Sequence, residues 1–222
     1  MKLFSIALFF TVLLGYSFFK ENSEDGPKGV YVISVTSPGK KPFRFPDDSL
    51  FIYKGAAVEQ ILRVDQTFLD NNKSVIKESL DTYYFIDFKK GLFRDMGKNL
   101  NRKDEKAQWL PMKDKKSGFD FTIPWYADEK YKIKDTIYNG KKIKKIQYQN
   151  VKGMRYTVLM RMNSSKEQFP VIFPGIEDRF KADVIKMFVT YPGQHGSWVY
   201  TKKFIPLKNH EVFKALDSKK SF

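Results

Sequence analysis

The sequence predicts a mainly β fold: an antiparallel curved sheet, sandwich or open barrel with one or two short helices. Runs of β-branched and aromatic residues recur along the chain, and clusters of Gly, Pro and Asn separate them in the manner of hairpin connections. With 21 Phe and 12 Tyr in 222 residues there is ample material for one hydrophobic core.

Residues 1–17 read as a signal peptide. Lys2 precedes the apolar run at residues 3–14, and Gly15 and Ser17 place small residues for cleavage after Ser17. Extended to Lys20, the same stretch stands at the lower length limit of a membrane anchor, so membrane contact through it is expected only if it is retained. Residues 18–28 form a flexible polar linker containing Gly26 and Pro27, and residues 29–222 form a single mainly β domain starting near Gly29.

Residues 30–35 (VYVISV) make a first strand that ends at a turn cluster, Thr36-Ser37-Pro38-Gly39. Strands follow at residues 50–53 and 58–64, with Glu59 weakening the boundary between them, and residues 65–80 are polar and poorly periodic. A hairpin at Lys90-Gly91 joins residues 83–88 to 92–96, and the charged stretch 97–118 reads as a long exposed loop. The clearest local signal is Asn139-Gly140, which supplies the two positive φ angles of a two-residue hairpin. Closing that turn pairs Tyr138 with Lys141, Ile133 with Ile146 and Tyr131 with Tyr148, and sets Lys134 against Lys145, a like-charge pair that a bound anion would relieve. Residues 153–162 add a strand, and residues 168–173 a shorter one broken by Pro170. Apolar residues at 176, 180, 184, 187 and 188 fit one face of a helix. Residues 198–205 return to strand composition, and Asn209 is placed to cap a last short helix through Phe213 and Leu216.

The chemistry is bounded mostly by exclusion. No Cys is present, which removes disulfides, thiolate metal sites and a Cys nucleophile. His195 and His210 lie too far apart for a helical metal pair, and no phosphate loop, dinucleotide fingerprint or Ca²⁺ loop occurs, so neither metal nor cofactor is expected. The net charge of +15 attracts anionic polymers or surfaces, but it accompanies no recognition motif, and export argues against nucleic acid. His195 sits in a Gly-flanked loop, the weak candidate for a catalytic imidazole with Asp178 or Asp183, although Gly196-Ser197 lacks the Gly-x-Ser-x-Gly nucleophile pattern. Trp109, Trp125, Tyr126 and Trp198 are candidates to stack on a ligand, with Lys134 and Lys145 as candidate anion contacts.

Residues 83–98 (YYFIDFKKGLFRDMGK) and 169–178 (FPVIFPGIED) resemble the secreted bacterial GLPGLI family, with Phe173-Pro174-Gly175-Ile176 in the place of its naming motif and the first Gly of that motif absent. The resemblance implies an exported, mainly β envelope protein and carries over no enzymatic residues. The expected function is a non-catalytic binding or carrier protein, periplasmic or extracellular, for an anionic or amphipathic envelope ligand. The alternatives are a secreted hydrolase using His195 and an interaction module that adds its hairpin to a partner's edge.

Overall fold

The computed structural model describes residues 28–38, 43–53, 56–68, 74–100, 107–126, 128–162, 170–193 and 196–218. Its first strand, β1 (Gly29–Ser37), alternates two buried sets: Val30 belongs to one core cluster, Tyr31 and Ile33 to another. A strand apolar on both faces must be covered on both, and β1 lies in the middle of one antiparallel sheet.

The N-terminal half continues through β2 (Phe43–Arg44), β3 (Asp48–Tyr53), β4 (Ala56–Phe68), β5 (Ser74–Asp87), β6 (Leu92–Asp95) and β7 (Leu110–Pro111). The C-terminal half comprises β8 (Tyr131–Tyr138), β9 (Lys141–Gln149), β10 (Arg155–Met162), α1 (Ile176–Phe180), β11 (Ala182–Thr190), β12 (Ser197–Pro206) and α2 (Glu211–Ser218). The sheet runs β7-β6-β5-β4-β3-β1-β12-β11-β10-β9-β8, with β2 on β1, so the predicted curved antiparallel sheet with short helices is the fold. Within each half, neighbours in sequence are mostly neighbours in space. The halves join where β1 pairs with β12, from Gly29 opposite Pro206 to Thr36 opposite Val199.

Two layers cover the sheet. On the outer face α2 packs Val212, Phe213 and Leu216 onto Phe51, Val58 and Phe85. On the inner face the segments 112–126 and 170–180 lay Phe119, Phe121, Trp125, Ile172 and Phe173 over Ile33, Leu50, Ile146 and Val158.

The Asn139-Gly140 turn closes with φ of 48° and 72°, and β8 pairs with β9 in the register that turn imposes, Tyr138 opposite Lys141 through Tyr131 opposite Tyr148. Other expectations are corrected. The polar stretches 65–68 and 74–80 are strand, because β4 and β5 pair along their length from Ala57 opposite Ile86 to Phe68 opposite Ser74, with a register shift between Ile61 and Leu62. The helix expected over 176–188 stops at Phe180, and Ala182–Thr190 is a strand. A bulge explains the misleading spacing: Leu159 pairs with Lys186 but Met160 with Val184, leaving Ile185 extra. Buried Ala182 and Val184 are thereby followed by Met187 and Val189, and the three-residue step imitates helical periodicity. Residues 170–173 form a buried loop and not a strand, and the stretch 112–118 contains a 3₁₀ turn, Met112–Asp114, and buries the Lys115 side chain, while Lys113, Asp114, Lys116 and Gly118 are exposed. His210, not Asn209, caps α2, its Nδ1 accepting from the Val212 amide at 3.3 Å.

Candidate functional site

Strand parity brings charge inside at two places. In β4, Ala57, Glu59 and Ile61 share the inner face, and Glu59 is fully buried. Its carboxylate accepts from Lys115 Nζ at 2.5 Å and from the Phe119 amide at 2.8 Å, and Lys115 stands over the rings of Phe121 and Tyr84. The Tyr84 hydroxyl meets Ser117 Oγ at 2.8 Å, so one carboxylate and one phenol hold the whole turn 115–119 against the sheet. Burial pushes the Glu59 carboxyl up to about 7, against the pull of Lys115.

In β12, Tyr200, Lys202 and Phe204 likewise face inward by their pairing with Val35, Ile33 and Tyr31. Lys202 binds the Glu177 carboxylate of α1 and reaches Asp183 Oδ1 at 2.7 Å. Glu177 also accepts the amides of Ile172 (2.7 Å), Phe173 (3.1 Å) and Val184 (3.0 Å), which ties the 170–175 loop to β11. Buried pairs of this kind fix geometry more than they add stability, because each ion has lost its water. Here they fix two loops over the inner face. The loops are joined by the Trp125 amide donating to the Pro174 carbonyl (3.0 Å) and by edge contacts of Phe119 and Trp125 with Phe173 at 5.4 and 5.6 Å.

Beside this aromatic filling an open cleft of about 440 Å³ remains, between the end of β1, β4 and the 117–125 segment. Val35, Phe45, Ile61, Leu62, Ile123 and Trp125 form its apolar walls. Among the described residues Asp48, Asp81 and Asp120 line it with one cation, Arg63. Asp48 lies opposite Ile33 across the β1–β3 ladder, and burial pushes its carboxyl up to about 6, with Lys115 pulling it down and Asp47 raising it further. Asp81 is the extra residue of the β4–β5 bulge, since Ile61 pairs with Thr82 and Leu62 with Leu80. The bulge thus coincides with a cleft-lining acid, as bulges do where a side chain must be re-aimed.

No family model matches the chain, and no curated protein does. Among solved structures the chain is similar to LprF from Mycobacterium bovis, at 11% identity and a TM-score of 0.32, over 82% of this chain and 88% of that one. So slight a likeness bears no weight in the functional reading.

The residues expected to bind ligand are dispersed. Trp125 lines the cleft, and Trp198 stands 5.4 Å from the cleft residue Phe45. Tyr126 is buried away from it, against Tyr148 and Phe180, its hydroxyl donating to the Glu129 carbonyl. Trp109 packs on the outer face, and Lys134 and Lys145 face each other on the hairpin. His195 lies outside the described residues, as does the N-terminal segment. Of the acids considered as its partners, Asp183 is engaged by Lys202 and Arg161, and Asp178 accepts from the Gly175 amide. Among the described residues no group of three or more His, Asp or Glu is placed to hold a metal. Reasoning from sequence reads Asp47-Asp48 as exposed turn acids, whereas Asp48 lines the cleft, and it missed Asp81 and the Glu59–Lys115 pair. One signal was present: Glu59 alternates with apolar Ala57 and Ile61 on one face of the strand, where an acid needs a buried cationic partner.

Proposed function

We propose that the chain is an exported, non-catalytic carrier or binding protein that receives an amphipathic ligand in the cleft beside Asp48. The observation that carries this reading is the cleft itself: apolar walls from two strands and a loop, with acids along it and one Arg63. A cavity of this size takes a small molecule or one end of a larger one, and its walls reward an apolar body. The acidic lining disfavours an anion, so of the two ligand classes left open by the sequence the amphipathic one is supported, with a hydrogen-bonding or cationic head beside Asp48. The Lys115–Glu59 ion pair pins the loop that forms one wall, so the cleft is shaped before the ligand arrives, which lowers the ordering cost of binding.

Native mass spectrometry of the chain recovered from an exporting host, followed by titration with a fluorescent alkylamine, tests the reading. Ile123 is 40% exposed at the mouth, so Ile123→Glu leaves the core intact. The variant should bind the probe roughly tenfold more weakly, the loss of about one partly buried aliphatic contact. Unchanged affinity, or a chain that carries no small molecule and fails to saturate with the probe, overturns it.

A further inference from the structure

The end of the sheet away from the cleft bears a different surface. β8 is the terminal strand of the sheet order, and nearly every residue on it is exposed or half-buried. With β9 it carries Lys132, Lys134, Lys141, Lys142, Lys144 and Lys145 against the single acid Asp135. Asp135 is engaged by Lys144 at 2.8 Å, and among the described residues no ion pair engages the other five lysines. Lys134 and Lys145 face each other, an arrangement that costs stability in a bare hairpin. At the tip Ile137, opposite Lys142, is 75% exposed. The β9–β10 pairing ends at Lys144 opposite Met160 while β8–β9 pairing continues to Lys141, so among the described residues no third strand is bonded to the last pairs of the hairpin.

An exposed isoleucine near the turn of a terminal hairpin, set among lysines that no ion pair engages among the described residues, matches the layered chemistry of one partner. A lipid bilayer offers an apolar boundary for the tip and acidic headgroups for ammonium groups a few ångströms behind it, and the lysine stems lie along that boundary. Strand addition by another protein fits less well, because lysines on a terminal strand are a means of blocking such pairing. We infer that the β8–β9 hairpin docks the protein peripherally on an anionic lipid surface, with Ile137 entering the headgroup boundary and Lys134, Lys142 and Lys145 meeting the acidic headgroups. This surface is independent of the cleft and its ligand.

The test is sedimentation of the full chain with vesicles of phosphatidylcholine alone and with three parts in ten phosphatidylglycerol. The apolar run at residues 3–14 is common to every variant and both vesicle types, so it cancels from the ratio of the two affinities. The wild type should prefer the anionic vesicles, and the preference should fall with salt as screening shortens to about 8 Å. Lys134→Gln/Lys142→Gln/Lys145→Gln should lower that preference on the order of a hundredfold, the product of three surface cations. The exposed lysines elsewhere serve as the matched control, and Lys113→Gln/Lys116→Gln/Lys208→Gln, with the same net charge, should stay within about threefold of wild type. Ile137→Ser should weaken binding to anionic vesicles by roughly tenfold. Lys145 is half-buried and the other positions are exposed, so the variants keep the fold. Equal losses in both triple variants would mean diffuse attraction and overturn the inference. So would binding of soluble polyglutamate as tight as that of vesicles together with indifference to Ile137→Ser.

Discussion

Glu59 and Asp48 are carboxyls whose burial makes ionisation more costly in the folded chain than in water, and both stand on strands beside the cleft. The ordinary value for Glu59 is 4.5 and its folded value about 7. Between those values the folded chain keeps a proton that the unfolded chain has released, so stability is greatest below about 4.5 and declines as pH rises towards 7. Asp48 adds a decline in the same direction between 3.8 and about 6. The melting temperature should therefore fall by several degrees from pH 5 to pH 7.5, read by calorimetry, and Glu59→Gln should flatten the part of that slope above pH 6. A melting temperature that climbs over the same interval would show that Lys115 keeps Glu59 ionised throughout. Little of this was legible residue by residue, because an acid in a strand has no visible partner until Lys115 arrives from 56 positions away.

At the scale of elements, the inner loops decide what the sheet can do, and one backbone feature lets the 170–175 loop dock. Gly175 precedes α1 at φ 82° and ψ −47°, a conformation that side chains rarely adopt, and an added Cβ would collide with the Tyr126 carbonyl oxygen. Gly140 also has a positive φ, of 72°, but open space around it. Gly175→Ala should thus destabilise by about 3 kcal/mol and Gly140→Ala by about 1 kcal/mol, compared by urea denaturation. Equal costs would mean that the 170–175 loop yields without strain. Of these two features only the hairpin was readable from its dipeptide, since a two-residue turn contains its own geometry. The Phe-Pro-Gly-Ile segment reads as an ordinary strand end until Tyr126 is packed against it.

On the scale of the whole molecule, the sheet depends on β1. It pairs with β3 on one side and β12 on the other, joining partners far apart in sequence, while β4–β5 and β8–β9 close locally. Long-range pairing of this kind forms late and opens only with the whole structure. Amides of residues 31–33 and 200–203 should exchange at the rate of global unfolding, and those of 132–136 on the terminal strand β8 much faster, as seen by hydrogen exchange with mass spectrometry. Uniform exchange across the sheet would contradict the central role of β1.

Alternation of apolar and polar residues, turn dipeptides and the absence of Cys determined the strand content, the antiparallel class and the Asn139-Gly140 register, because each of these is fixed by neighbours within a few residues. Tertiary structure alone decided that β1 would join the two halves and that a bulge at Ile185 would turn an apparent helix into a strand. It also decided that Glu59 and Glu177 would find their lysines, so that two loops fill most of the inner face beside an acid-lined cleft. Those outcomes rest on contacts between distant segments, and a buried charge or a shifted register acquires its meaning only when the other side of the contact is in place.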